Sequence, residues 1–296
     1  MKKRPEILLI GADGQVGWEL QRTLAPLGNL TRATLDGRWE RALDLANAES
    51  IAGVLRETRP DIVINAAAYT AVDKAETEQD LAQRINGDAP GLLGRLLAER
   101  RVPVLHYSTD FVFSGQAERP YQEDDEPGPL NVYGATKLDG ENRLLDSGAP
   151  ALILRTSWVY GRHGQNFLLT MQRLLREREE LQVVDDQIGA PTWSRLLAEV
   201  SAQLLYRVLS GDIDLERQSG LYQVTGGGQT SWWGFAKAIQ QASGARCRLL
   251  PILSRDYPSP AKRPTYSVLD NGKLLDTFGL ALPHWETSLA MCLADT

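Results

Sequence analysis

Apolar residues are spaced along this chain in two alternating rhythms. Short continuous runs, Ile7–Ile10, Ile62–Asn65, Val104–Ser108 and Ala151–Leu154, are separated by longer stretches in which apolar side chains return every three or four positions. A continuous apolar run suits a strand covered on both faces of a parallel sheet. The wider spacing gathers apolar side chains on one face of a helix. Val16, Leu20, Leu24 and Leu27 mark the first helix, which Pro26-Leu27-Gly28 ends. A weaker strand is predicted over Leu30–Leu35, and further helices over Asp44–Glu57, Asp80–Arg100 and Tyr133–Asp146, with Pro60 and Pro103 as stops. Regular alternation of strand and helix, with right-handed crossovers, predicts an α/β fold: a Rossmann-like doubly wound parallel sheet with its ligand at the carboxyl ends of the strands.

After Tyr160 the rhythm changes. Helices are predicted over Asn166–Arg178, Arg195–Ser210 and Ser231–Ser243, the last with a serine N-cap, and strands over Leu181–Val184 and Leu221–Val224. Gly226-Gly227-Gly228 is a flexible corner, and Pro251–Pro264 is proline-rich and reads as irregular. The expected organisation is a dinucleotide-binding domain over 1–160, with late elements from about 185–230. A smaller C-terminal substrate-binding lobe is built from 161–184 and 231–296.

Composition narrows the field. The 296 residues are 43% hydrophobic and 24% charged, ordinary for a globular protein, with a net charge of −6 and no long basic run. Nucleic acid is therefore not an expected partner. The apolar run in MKKRPEILLIG is short and reads as a first strand, not a signal peptide, and no stretch is long enough to span a bilayer, so no membrane association is expected. The only cysteines, Cys247 and Cys292, form no C-x-x-C pair, and the three histidines, His106, His163 and His284, lack ligand spacing. A cytoplasmic protein without a catalytic metal is expected.

The first candidate chemistry is a turn, Gly11-Ala12-Asp13-Gly14-Gln15-Val16-Gly17, between a buried strand and an amphipathic helix. Gly11 permits the tight turn, Gly14 lets backbone amides approach a pyrophosphate, and Gly17 lets the helix pack on the sheet. Amides and dipole at the helix start favour the diphosphate charge. The end of the second strand should read the adenosine ribose. Asp36 there would accept from its hydroxyls and favour NADH, whereas Arg32, Arg38 or Arg41 would pair with a 2′-phosphate, and Asp44 is placed for the adenine amino group. Ala66, Ala67 and Ala68 let the backbone come close to the cofactor, and Gln15, Val16, Leu45 and Tyr107 complete the cofactor set.

The second is Tyr133-Gly134-Ala135-Thr136-Lys137, a Y-x-x-x-K on one helical face. A free phenol titrates near ~10, and a neighbouring ammonium is expected to lower that value. Lys137 would also hold the nicotinamide ribose, Thr109 would hydrogen-bond a carbonyl oxygen, and Tyr133 would deliver its proton as hydride reaches the carbon.

With these residues in view, the chain resembles the extended short-chain dehydrogenase/reductase family and, within it, the dTDP-4-dehydrorhamnose reductases. The resemblance runs through GQVGWELQR (14–22), NAAAYTAVDKAE (65–76), HYSTDFVFSG (106–115), PLNVYGATKLDGE (129–141), RTSWVYG (155–161), DDQIGAPT (185–192) and LPHWE (282–286). It implies reduction of the C4 ketone of dTDP-4-dehydro-6-deoxy-L-mannose to dTDP-L-rhamnose, with NADPH or alternatively NADH, in nucleotide-sugar and cell-surface polysaccharide biosynthesis. It implies Thr109, Tyr133 and Lys137 as the catalytic set and Val72, Asp73, Asp110 and Trp158 around the sugar, with core packing the alternative for Trp158. Asn86 matches a structural or cofactor-contacting position. Arg263 is the candidate for the substrate diphosphate, because guanidinium pairs bidentately with phosphate, and Asn166, Phe167 and Gln187 are candidates for sugar or thymine. Some members dimerise around magnesium; Glu19 and Glu286 match two acidic positions, but Arg195 stands at the third and would repel a cation. Direct pairing of Arg195 with those two carboxylates is expected instead, and a homodimer is left open. The alternatives are an epimerase or dehydratase of the same fold, and a non-catalytic NADP-binding regulatory subunit, whose mark would be a missing tyrosine or lysine.

Overall fold

The protein is described by a computed structural model covering residues 4–295; Lys2 and Lys3 of the N-terminal basic segment lie outside the described residues. Six strands come first: β1 (Glu6–Ile10), β2 (Asn29–Thr34), β3 (Arg41–Ala42), β4 (Ile62–Asn65), β5 (Val104–Thr109) and β6 (Ala151–Thr156). Short strands β7 (Val159–Tyr160), β8 (Glu180–Val184), β9 (Ile188–Gly189) and β10 (Thr192–Trp193) follow. Then β11 (Gly220–Gln223) returns to the sheet, and β12 (Thr230–Ser231) and β13 (Arg248–Ile252) complete the strands. The seven-stranded sheet has the order β11-β6-β5-β4-β1-β2-β3, and every pair in it is parallel. The strand order reverses between β1 and β4, which opens a crevice at their carboxyl ends. This is the predicted doubly wound sheet.

The continuous apolar runs are explained by the two cores. Leu9, Ile64, Leu105 and Leu154 pack with Leu20, Leu24, Leu197 and Leu204 on one face. Leu8, Ile10, Val63 and Ile153 pack with Leu55, Leu93 and Leu97 on the other. A third cluster, including Tyr160, Leu168, Phe235, Ile239, Trp285 and Leu289, forms the core of the lobe after the sheet. The helix Gly272–Phe278 instead sends Leu274 and Phe278 into the sheet's core.

Several boundaries differ from expectation. The second helix starts at Ala48, not Asp44, because the Asn47 side chain caps it by accepting from Glu49 N at 3.0 Å. The long helix expected over Asp80–Arg100 is interrupted by a π-helical turn, Gln83–Asp88, between Gln79–Ala82 and Ala89–Ala98. Inside that turn, Asn86 accepts from Tyr69 N (2.9 Å) and donates to Tyr69 O (3.0 Å) and Thr136 Oγ1 (3.3 Å). Single π turns of this kind are frequent at functional sites. The stretch expected to be irregular from Pro251 begins inside β13, which pairs only with β8. Pro251, lacking an N–H, is tolerated at such an edge. The helix Trp285–Ala294 also went unsignalled.

Beneath the crevice, Arg155 of β6 and Glu141 of the helix Val132–Asp146 form a fully buried bidentate pair, with contacts of 3.0 and 2.6 Å. Removing one partner leaves a buried charge uncompensated. Glu141→Ala is expected to cost about 3–5 kcal/mol in urea unfolding; a loss below about 1 kcal/mol would mean that water reaches Arg155.

Candidate active site

A cavity of about 490 Å³ opens at the crevice, between the glycine turn, Ala66–Ala68, and the helix that carries Tyr133 and Lys137. Gly11 adopts φ +80°, and a Cβ on it would lie 2.7 Å from the Ala67 amide nitrogen. A Cβ on Gly17 would lie 1.9 Å from the Gly11 carbonyl oxygen, so the helix Gln15–Leu24 touches the turn backbone to backbone. Gly14 is different. A Cβ there would meet nothing closer than 3.4 Å, so the protein's own packing does not require glycine. No side chain caps this helix either, and the buried Gln15 Oε1 has no partner among the described residues. A bare helix start beside a glycine whose missing side chain faces open space fits a dinucleotide diphosphate.

At the end of β2, Asp36 accepts from Arg38 Nε at 2.6 Å and from Thr34 Oγ1 at 2.9 Å, and Arg38 holds its carboxyl down to about 2. Arg32 is taken up by Glu40 and stacks over Trp39, Arg41 by Glu57 and Arg38 by Asp36. Asp44 and Leu45 lie outside the cavity lining; the Asp44 carboxylate accepts from Ala46 N at 2.8 Å.

On the opposite wall, Asn131 caps the helix Val132–Asp146 by accepting from Gly134 N at 2.8 Å, and it donates to Lys262 O at 2.7 Å. Tyr133 therefore sits in the first turn and Lys137 one turn on, both lining the cavity. The Tyr133 hydroxyl lies by Thr109, which opposes the effect of burial on the phenol. Thr109 Oγ1 donates to Asp110 Oδ1 (3.1 Å) and accepts from Phe111 N (3.2 Å).

The electrostatics correct one expectation. Burial pushes the Tyr133 phenol up to about 12; the Thr109 hydroxyl opposes the rise and the Asp110 charge adds to it. The Lys137 ammonium is not among the groups that set the phenol; it donates to Tyr107 O at 2.6 Å and lies 3.2 Å from His106 Nε2. Burial brings Lys137 itself down to about 8, with Glu141 opposing. Asp110 is buried, with Oδ2 unpartnered among the described residues. Desolvation pushes its carboxyl up to about 7, opposed by the nearby Ser267 and Thr109 hydroxyls, the latter bonded to Oδ1 at 3.1 Å.

None of the remaining candidates lines this cavity. Trp158 stacks on Trp232 at 3.6 Å in a left-handed backbone conformation, φ +47°. Arg263 and Asp73 meet, but each is the other's partner at 2.8 Å. Val72 begins the short helix carrying Asp73. Asn166 caps the helix Phe167–Glu177 and also donates to Gly161 O at 3.0 Å, so its amide is engaged by the backbone. Phe167 leans on Trp232 within the lobe. Gln187 donates to Ser254 Oγ at 2.9 Å. The expected pairing of Arg195 with Glu19 and Glu286 is not made: Arg195 binds Asp295 and Glu199, Glu19 binds Arg22, and Glu286 lies by His284. Asp295, at the chain's end, is simply nearer. Asp13, Thr70, Ser108, Thr156, Val159, Gly164 and Gln165 line the cavity without having been singled out. Gly164 and Gln165 come from a loop held there by His163, which stacks on Trp18 at 4.2 Å and bonds Asp13 O at 3.1 Å, a tertiary contact with no local signature.

The model for the RmlD substrate binding domain matches residues 5–296. The dTDP-4-dehydrorhamnose reductase of Burkholderia thailandensis is 44% identical over 300 residues, covering 98% of each chain. That of Escherichia coli K12 is 44% identical over 293 residues, covering 97% of this chain and 96% of the relative. The crystal structure of dTDP-4-dehydrorhamnose reductase from Bacillus anthracis in complex with NADP superposes with a TM-score of 0.90 at 35% identity, covering 99% and 100% of the two chains.

Two substitution series test this geometry. Gly17→Ala is expected to lower stability by at least about 1–3 kcal/mol, whereas Gly14→Ala leaves thermal unfolding nearly unchanged and weakens NADPH binding at least about tenfold by calorimetry. Equal effects of the two on stability would contradict the contact geometry. A buried carboxyl with a raised folded-state pKa stabilises the protein at low pH and loses that contribution as pH rises. Relative to Asp110→Asn, the parent is therefore expected to lose on the order of a few kcal/mol between about pH 4 and 7 in urea unfolding. Parallel curves for the two proteins would place Asp110 in contact with water.

Proposed function

The chain belongs to the RmlD family, that of the dTDP-4-dehydrorhamnose reductases. On that premise we propose that it reduces the C4 ketone of dTDP-4-dehydro-6-deoxy-L-mannose to dTDP-L-rhamnose, with NADPH as the preferred cofactor and NADH as a substitute. One observation carries the reading. Tyr133 and Lys137, one helical turn apart, line one wall of the cleft whose other wall is the uncapped glycine turn.

Gly14, Gln15 and Val16 hold the diphosphate through backbone amides, and Ala66–Ala68 admit the cofactor to the sheet edge. Arg38 answers a 2′-phosphate while Asp36 answers ribose hydroxyls, which is why both cofactors are accepted. Bound there, the nicotinamide supplies the hydride. Tyr133 donates to the ketone oxygen, with Thr109 beside it. Tyr133, held protonated at neutral pH by burial, releases its proton to that oxygen. Lys137, one helical turn away on the same wall, would hold the nicotinamide ribose.

Residues 161–184 and 231–296 form the wall for the nucleotide sugar, with Arg263 turning from Asp73 to the diphosphate and Trp158 beside the sugar. The sheet portion, residues 1–160 with the elements of about 185–230, binds the dinucleotide. Two free cysteines, Cys247 and Cys292, fit work in the cytoplasm, and among the described residues no helix is long and apolar enough to cross a membrane.

The direct test is loss of NADPH absorbance with the dTDP-4-dehydro-6-deoxy-L-sugar. One NADPH per sugar is expected, whereas an epimerase would consume none. Tyr133→Phe is expected to lower kcat about 10²–10⁴-fold with NADPH binding intact; turnover at the parent rate would remove Tyr133 as the proton donor. Arg38→Ala is expected to raise the KM for NADPH about tenfold and leave that for NADH in place.

A further inference from the structure

Behind Lys137 lies a titratable group that the reaction as described does not use. His106 of β5 is fully buried, with Nε2 3.2 Å from Lys137 Nζ and Nδ1 3.1 Å from the side-chain nitrogen of Asn65. Asn65 is its register neighbour in β4 and is itself 1% exposed. The Asn65 carbonyl oxygen accepts from the Ala67 amide at 3.3 Å, on the cofactor side of the cleft.

Counting protons along this chain restricts what it can be. A neutral imidazole carries one proton, and an ammonium only donates. If Lys137 is charged, Nε2 must be the bare nitrogen, Nδ1 must carry the proton, and the group facing Nδ1 must be the Asn65 carbonyl. The oxygen and nitrogen of an amide exchange by a half-turn, and their placement is an assignment from partners. If Asn65 instead donates to Nδ1, Nε2–H points at Lys137, which must then be an uncharged amine. The two arrangements differ by one proton on Lys137 and by whether Asn65 keeps hold of the Ala67 amide. His106 does not take up that proton itself: desolvation, with the Lys137 charge in second place, drives its protonated form well below the ordinary range.

We propose that His106, supported by Asn65, is a positioning residue for Lys137, its bare Nε2 accepting from the ammonium and holding it charged at the cleft. The titratable and charged groups around Lys137 are Tyr133 and Glu141 on its own helix, His106 on β5 and, through Glu141, Arg155 on β6; Asn65 on β4 does not titrate. Glu141 is already committed to Arg155 by two bonds. His106 and the Tyr107 carbonyl are thus the acceptors in direct contact with the ammonium. A consequence reaches the other wall. With Lys137 charged, Asn65 turns to His106 and the Ala67 amide is released to the cofactor.

The proposal rests on the reductase reading only for the use made of Lys137; the tautomer is a property of the protein alone. The test has two arms. In the full-length protein labelled with ¹⁵N-histidine, the His106 signal is identified by its loss in His106→Gln. Below the alkaline limb of activity, Nδ1 is expected to carry the proton and Nε2 to be bare; a protonated Nε2 there would overturn the proposal whatever the activity.

In the second arm, kcat/KM for the ketone is followed against pH. Parent activity falls as pH rises through the titration of Lys137, since the ammonium is the working form. His106→Phe removes an acceptor from the ammonium and is expected to move that limb down by about one pH unit, a tenfold change in the ammonium-to-amine ratio. His106→Gln, whose amide oxygen can stand where Nε2 stood, returns the limb toward the parent position. A limb unmoved in His106→Phe, with activity reduced equally at every pH, would show a purely structural role and overturn the proposal, as would His106→Gln shifting as far as His106→Phe. If His106→Phe does not fold, the tautomer and the His106→Gln limb decide. If the parent consumes no NADPH with the sugar, the reductase reading fails while the tautomer arm still stands or falls by itself.

Discussion

A cation buried at 2% exposure sets the terms for the rest of this site. Taking an ammonium out of water costs several kcal/mol even after relaxation, so Lys137 survives as a charge only where partners wait for it. They come from separate elements: the Tyr107 carbonyl and His106 from β5, and the negative charge of Glu141 from its own helix, which Arg155 of β6 ties to the sheet. The helix Val132–Asp146 is thereby fixed on the sheet to within a hydrogen bond. A slip of one residue would turn Lys137 by about 100° away from these partners. Tyr133, one turn back on the same face, is carried into contact with Thr109 by the same constraint.

The opposite wall is fixed by absence of side chains. Gly17 and Gly11 meet backbone to backbone, and Gly11 meets Ala67 across the gap between β1 and β4. The walls are linked at one level of the sheet, where register aligns Ala33, Ile10, Asn65, His106 and Ile153 across adjacent strands. In a parallel sheet, residues at one level point to the same side, so Asn65 and His106 share a buried row that runs from the lysine to the cofactor side. The two halves of the cleft are therefore not independent.

The parallel sheet was legible because strands buried on both faces leave continuous apolar runs, and because Gly11, Gly14, Gly17, Tyr133 and Lys137 are local patterns within single turns. What could not be read has a common cause. The π turn at Gln83–Asp88 arises from the bonds of Asn86 to Tyr69 and Thr136, which are distant in sequence. The strand β13 exists only through pairing with β8. The lowering of Tyr133 by Lys137 follows from their spacing on a helix, but spacing says nothing of burial or of competing acceptors. Burial raises the phenol, and Lys137, bonded to the Tyr107 carbonyl and beside His106, is not among the groups that set it. Asn166, just after one matching segment, and Gln187, within another, likewise have their amides spent on the Gly161 carbonyl and the Ser254 hydroxyl.

Arg263 shows how an engaged residue can remain exchangeable. Its partner Asp73 leaves the two side chains 26% and 43% exposed, and an ion pair so open to water contributes only about 0–1 kcal/mol. Asp73 also accepts from the Ala261 amide, so the carboxylate keeps a partner if the guanidinium leaves. The buried pair Arg155–Glu141, by contrast, has no such freedom, because water cannot take the place of either member. An arginine and a carboxylate thus make one fixed contact under the helix Val132–Asp146 and one exchangeable contact at Asp73, and burial alone separates them. A pair that costs little to break leaves Arg263 able to change partners.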